Sequence, residues 1–215
     1  MIKRKLTAMP RLHTSVPLAY SDVPGSEYFW QSLWSQVHND QYWGQKLQSI
    51  GIYEEGVLQT SLRAPKHSVH LGVFVEPYLH YVLEGTKTIE SRFSTRRFAP
   101  YRCVQAGDVL LLKKSAGPVV GLCTIAHAWF YHLDENSWDC IKTQFTTALR
   151  AEDPEFWVQR QGAEFATLMR VSHVHHITPI PFPKRDRRGW AVLVNGATSD
   201  DGCLEYPHSG LLADT

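Results

Sequence analysis

Residues 85–92 read Gly85-Thr86-Lys87-Thr88-Ile89-Glu90-Ser91-Arg92, which sets a carboxylate between two cations directly after a glycine. In an extended segment side chains alternate, so Thr88, Glu90 and Arg92 share one face and Lys87 sits at its mouth. A partly desolvated lysine beside an arginine has its pKa lowered and becomes a better proton acceptor, while an acid between two cations stays ionised. Such a trio can grip the edge of a nucleobase: the acid accepts from a cytosine-type amine, and the arginine reads carbonyl or phosphate oxygens. It can also hydrolyse an amide through activated water, with Lys87 and Glu90 in acid/base roles and Arg92 stabilising developing negative charge. The same residues fit an ordinary ion pair across a surface strand, which is worth little when exposed.

Two further basic groups fit nucleic acid. Arg92, Arg96 and Arg97, interleaved with Phe93, Phe98 and Tyr101, have the cation-plus-aromatic texture that holds phosphates and stacks bases of single strands. Lys184, Arg185, Arg187 and Arg188 lead to Trp190 in a loop flanked by prolines and a glycine, which suits either a phosphate clamp or a solvated turn with Trp190 in the core. His173, His175 and His176 supply at most two ligands on one strand face with no acid or cysteine at a suitable spacing, so no metal and no cofactor is expected. Cys103 has Arg102 beside it but no identifiable base, which argues against a nucleophile.

The rest of the composition limits what these groups can serve. With 43% apolar and 12% aromatic residues, the 215 residues can bury a substantial core. A net charge of +1 does not coat nucleic acid by bulk electrostatics, so binding depends on local clustering. That clustering exists: His80 to Val120 holds seven Lys and Arg against three acids, whereas Asp134 to Glu164 holds seven acids against three bases. Cys103, Cys123, Cys140 and Cys203 are widely scattered, which argues against a disulfide framework. No apolar run is long enough for a bilayer span and no signal segment opens the chain, so a cytoplasmic protein without membrane contact is expected.

Three parts must position the groups. Residues 1–65 are a basic arm (Lys3, Arg4, Lys5) and an aromatic-rich extension in which Tyr28, Phe29, Trp30, Leu33, Trp34, Val37, Tyr42, Trp43, Leu47 and Ile50 recur at spacings of three and four. That spacing predicts an amphipathic helix or helix pair, whose tryptophans either pack on the next domain or offer a face to a protein partner. In residues 66–196, strands are expected at Val69–Val75, in the octet, and at Val109–Lys113, Val119–Trp129, Phe165–Ile177 and Trp190–Val194. A helix at Tyr78–Glu84 closes on Gly85, and others are expected at Asn136–Leu149 and Asp153–Gln161, the last with Asp153 as N-cap and Pro154 at its first position. Residues 197–215 form a tail. The pattern is α+β: a small mixed β-barrel with helices in the connections, preceded by a helical N-terminal extension.

The octet, together with Glu76-Pro77-Tyr78, Gly107-Asp108-Val109-Leu110 and Gly121, resembles the ASCH domain (the activating-signal-cointegrator homology domain) of the PUA-like superfamily. The segment from Ile180 to Trp190 is similar to the closing segment of bacterial members. The resemblance covers about residues 69–194. It implies a PUA-like barrel whose cleft floor carries Lys87, Glu90 and Arg92, and an RNA, nucleotide or modified-nucleoside ligand. Some relatives are amidohydrolases acting on N4-acetylcytidine, and some are similar to RNA-cleaving enzymes. The amidohydrolase pattern places a threonine nucleophile three positions after the lysine. Here Glu90 holds that place and Thr88 follows the lysine by one position, not three, so the carboxylate would act as a general base or as an acceptor for the ligand. Glu152 and Glu155 are candidates for the further acid of that mechanism.

Overall fold

In the computed structural model the described residues are 26–54, 56–57, 65–182, 184 and 187–197. The expected arm, the 197–215 tail beyond residue 197, and Arg185 lie outside them. The aromatic extension is a helix pair, α1 (Ser26–Val37) and α2 (Gln41–Ser49), split where Asp40 caps α2 by accepting from the Tyr42 and Trp43 N–H groups. A two-residue hairpin, β1 (Ile52–Tyr53) and β2 (Gly56–Val57), follows. Then come β3 (Val69–Phe74), α3 (Tyr78–Leu83), β4 (Ile89–Ser94), β5 (Val109–Lys114) and β6 (Val119–His132). The chain continues through α4 (Glu135–Leu149), α5 (Pro154–Val158), β7 (Phe165–Ile180) and β8 (Trp190–Val194).

The protein is α+β, with one six-stranded sheet in the order β4-β7-β6-β5-β3-β8. Only β3 and β5 run parallel; the other neighbours are antiparallel. Strand alternation sorts the apolar residues into layers. Val69, Leu71, Val109 and Leu111 face Phe29, Trp30, Leu33, Val37, Trp43 and Leu47 of the helix pair. On the opposite face, Phe74, Leu110, Leu112, Cys123, Ile125, Met169 and Trp190 fill the inside of the curl with Leu79 and Val82 of α3. A third cluster joins Ile89 and Leu168 to Ile141, Phe145 and Leu149 of α4 and Phe156 of α5. The helical extension and the sheet thus share one core.

The long strands β6 and β7 pair along almost their whole length, and register shifts between Val119 and His127 let so long a ribbon bend. The sheet does not close through backbone pairing, since β4 and β8 are its two edges. Arg92 on β4 spans that seam: Nη2 donates to the Val73 carbonyl (3.0 Å) and Nη1 to the Gly189 carbonyl (3.1 Å) at the head of β8. Two glycines make room for it. A Cβ on Gly72 would lie 3.3 Å from Arg92 Nη2, and one on Gly189 3.2 Å from Nη1.

One expectation is corrected. Cys103 is disulfide-bonded, while Cys123 and Cys140 are free thiols. Cysteines far apart in sequence can still come within bonding distance in the fold, so scatter does not exclude a long-range pair. Among the described residues no helix is long and apolar enough to cross a membrane.

Candidate functional site

The octet does its positioning through Gly85, whose φ of +75° reverses the chain after α3. The Lys87 N–H donates to the Tyr81 carbonyl (2.9 Å) and the Thr88 N–H to the Ala148 carbonyl (3.1 Å), fixing the approach to β4. From there alternation turns Ile89 toward α4 and turns Glu90 and Arg92 into the curl. Lys87 is at the floor and not the mouth: it is 2% exposed, and its Nζ donates to the Ile89 carbonyl.

Glu90 lies between the two cations. Its Oε2 is 3.4 Å from Lys87 Nζ and its Oε1 is 3.0 Å from Arg92 Nε. The Nε–H finds no hydrogen-bond partner despite that distance, so the Arg92 contact is ionic and off the hydrogen-bond line. Arg92 is further held between rings, with Cζ 5.0 Å from the Phe74 centroid and 5.3 Å from that of Trp190. Trp190 is itself anchored: its Nε1–H donates to His70 Nδ1 (3.3 Å), which leaves the His70 ring proton on Nε2, facing Asp108 Oδ2 at 2.9 Å. Buried Asp108 also accepts from the Ser68 and Gln105 N–H groups.

Above the trio opens a cleft of about 330 Å³, lined by Phe74, Tyr78, Phe93, Phe156, Gln159 and Arg160 besides the charged residues. Phe156 meets Tyr78 and Phe93 edge-on, and Phe93 stacks on Trp138 with ring planes 4° apart. Arg160 lies over Phe156 at 3.7 Å. Burial pushes the Lys87 ammonium below its ordinary pKa, with Glu90 pulling it back up and Arg92 and Arg160 adding to the depression. Burial likewise raises the Tyr78 phenol, and Arg160 opposes that shift.

The sign of the Lys87 shift makes a prediction. A lysine with a depressed folded-state pKa binds fewer protons folded than unfolded, so its contribution to stability rises with pH between the depressed value and the free value of 10.5. Urea unfolding at stepped alkaline pH is expected to shift the stability difference between wild type and Lys87→Met in favour of the wild type. A difference that stays flat toward pH 10.5 would mean that Lys87 titrates as a free lysine.

Lys87, Glu90, Arg92 and Phe93 come together at the cleft. Thr88 is exposed and does not line it. Arg96 and Arg97 are exposed beyond β4, Arg97 over the Phe165 ring. Tyr101 is 6% exposed and packs edge-on against Phe130 and Phe165, with no free face for a base. Trp190 is buried beneath Arg92. Lys184 is half-buried near Lys113, and Arg187 and Arg188 are exposed. Glu152 and Glu155 are exposed and outside the cleft lining. His173 stacks on Tyr42, and His176 pairs with the Leu83 carbonyl. Among the described residues no cluster of three or more His, Cys, Asp or Glu can hold a metal.

Sequence reasoning missed Tyr78, Phe156, Gln159 and Arg160. The usable signal was Phe156 and Arg160 four apart in a stretch expected to be helical, a spacing that stacks a cation on a ring.

Fold and site together define an α+β protein with a curled mixed sheet and a buried lysine–glutamate–arginine trio under an aromatic cleft. Among solved structures the chain is similar to ASCH from Zymomonas mobilis, at 12% identity over 59% of this chain and 87% of that one, with a TM-score of 0.48. It is also similar to a serine-to-alanine variant of that protein (12% identity, 60% and 89% covered, TM-score 0.49) and to a tyrosine-to-phenylalanine variant (12%, 59% and 91%, 0.48). No protein-family model and no curated protein matches the sequence.

Proposed function

We propose that the protein binds RNA or a nucleoside-type ligand, modified nucleosides included, by taking one base into the Lys87–Glu90–Arg92 cleft. One observation supports this most: a buried carboxylate, already fixed by two cations, faces a cleft walled by four aromatic rings. The carboxylate oxygens keep lone pairs for an exocyclic amine, and the rings offer faces and edges to a planar base. A volume near 330 Å³ lies at the small end of ligand pockets, roughly 300–1,000 Å³, which suits one nucleotide unit better than a helical duplex.

The depressed Lys87 ammonium favours a second reading, metal-independent hydrolysis of an acylated nucleoside or RNA with Lys87 and Glu90 as acid/base pair. A protein partner on the N-terminal helices has less to stand on, since Trp30 and Trp43 are buried and Tyr28 is the large exposed aromatic of α1. Titration of wild type and a Lys87→Ala/Glu90→Ala double variant against short single-stranded RNAs and free nucleosides, with product analysis of each mixture, tests both readings. Binding by the wild type that falls at least about tenfold in a folded double variant is the expected result. A product formed by the wild type alone would favour the hydrolase, and equal binding by both proteins would remove the cleft from consideration.

A further inference from the structure

Cations outnumber acids in the cleft. Among the described residues, Lys87, Arg92 and Arg160 line it together with one acid, Glu90. Two of the three cations are already committed. Lys87 Nζ is spent on the Ile89 carbonyl and on Glu90. Arg92 gives a hydrogen bond from each Nη to a backbone carbonyl across the seam and neutralises Glu90 through Nε. Arg160 differs: among the described residues it makes no ion pair, and the one hydrogen bond of its side chain runs from Nη1 to the Phe156 carbonyl (2.6 Å).

We propose that Arg160 is the anion anchor of the cleft, so that the ligand taken there is a phosphorylated nucleotide and not a neutral nucleoside. This rests on the base-binding reading of the preceding section. The guanidinium is preorganised by its stack on Phe156 and its bond to the backbone, which leaves the Nε and Nη2 side available for the paired oxygens of a phosphate. Burial disfavours its charge, as the lowered pKa reflects; Tyr78 and, from beyond ion-pair distance, Glu90 oppose that shift, while Arg92 adds to it. An incoming phosphate supplies the missing counter-charge. The basic groups that the sequence suggested for phosphate, Arg96 with Arg97 and Arg187 with Arg188, do not line the cleft.

The test is calorimetric titration of wild type, Arg160→Gln and Arg160→Lys with three sets of probes: the common nucleosides, their 5′-monophosphates, and inorganic phosphate. In the wild type a monophosphate is expected to bind at least about tenfold tighter than its nucleoside, the worth of a charge-assisted pair of hydrogen bonds. Arg160→Gln is expected to erase that advantage, and Arg160→Lys to keep part of it. Equal wild-type affinity for nucleoside and monophosphate, or an advantage that survives in Arg160→Gln, overturns the proposal while the base-binding reading stands. Inorganic phosphate binding that depends on Arg160, with no preference for any nucleotide, keeps the anion site and overturns the base-binding reading. Binding of none of the probes overturns both.

Discussion

Glu90→Leu is expected to destabilise the protein by about 3–5 kcal/mol, the cost of leaving a buried charge without its partner. Lys87 is 2% exposed, and Glu90 is the acid within 4 Å of its ammonium. Removing the carboxylate leaves Lys87 with a backbone carbonyl as its remaining polar contact, and it must either shed its proton or pull the floor open. The reverse change is milder. In Lys87→Met the carboxylate keeps Arg92 at 3.0 Å, and the arginine, 21% exposed, retains access to water. The double variant Lys87→Met/Glu90→Leu is expected to recover much of the Glu90→Leu loss, because apolar groups of similar volume replace a desolvated pair. Urea unfolding of the four proteins measures this. Equal losses for the two single variants, adding in the double, would mean that the pair is solvated and independent.

Truncation of residues 1–65 is expected to abolish folding of the remainder. Phe29, Trp30, Leu33, Val37, Trp43, Leu47, Ile50 and Ile52 are all buried against the sheet face that carries Val69, Leu71, Val109, Leu111 and Leu122. At about 1.5–3 kcal/mol for each large apolar side chain, losing this layer removes an amount comparable to the whole stability of a typical domain, about 5–15 kcal/mol. The bared face would also be an extended apolar patch prone to association. Circular dichroism and size-exclusion of the truncated chain decide the matter. A monomeric remainder with a cooperative thermal transition would show that the helix pair is an appendage and would restore the case for a partner there.

The sequence made legible what depends on local periodicity. Glu90 and Arg92 share a face because a strand alternates by two, and the extension forms helices because its aromatics recur at three and four. Asp153 and Pro154 open α5 as their residue types predict, although α5 ends at Val158 and not near Gln161. What depends on tertiary packing was not legible. Lys87 is buried because its N–H is tied to Tyr81 ahead of the strand, which alternation alone does not register. Tyr101 and Trp190 sit among cations in the sequence as base-stacking residues do, yet each ring is closed over by neighbours distant along the chain: Phe130 and Phe165 for one, His70 for the other. The cleft's far wall comes from α3 and α5, whose approach to β4 is set by the shared apolar cluster and by no motif.

Because the guanidinium of Arg92 ties together the two ends of a sheet that its backbone leaves apart, the floor of the cleft is part of the framework as well as part of the site. A change of ligand preference made at Arg92 would be paid in the integrity of the sheet. Tyr78, Gln159 and Arg160 carry no such duty, being mounted on a short helix and on the turn after another. The geometry therefore separates a floor that is hard to vary from a helical wall that is free to diversify, and new specificities on this scaffold would arise from the wall.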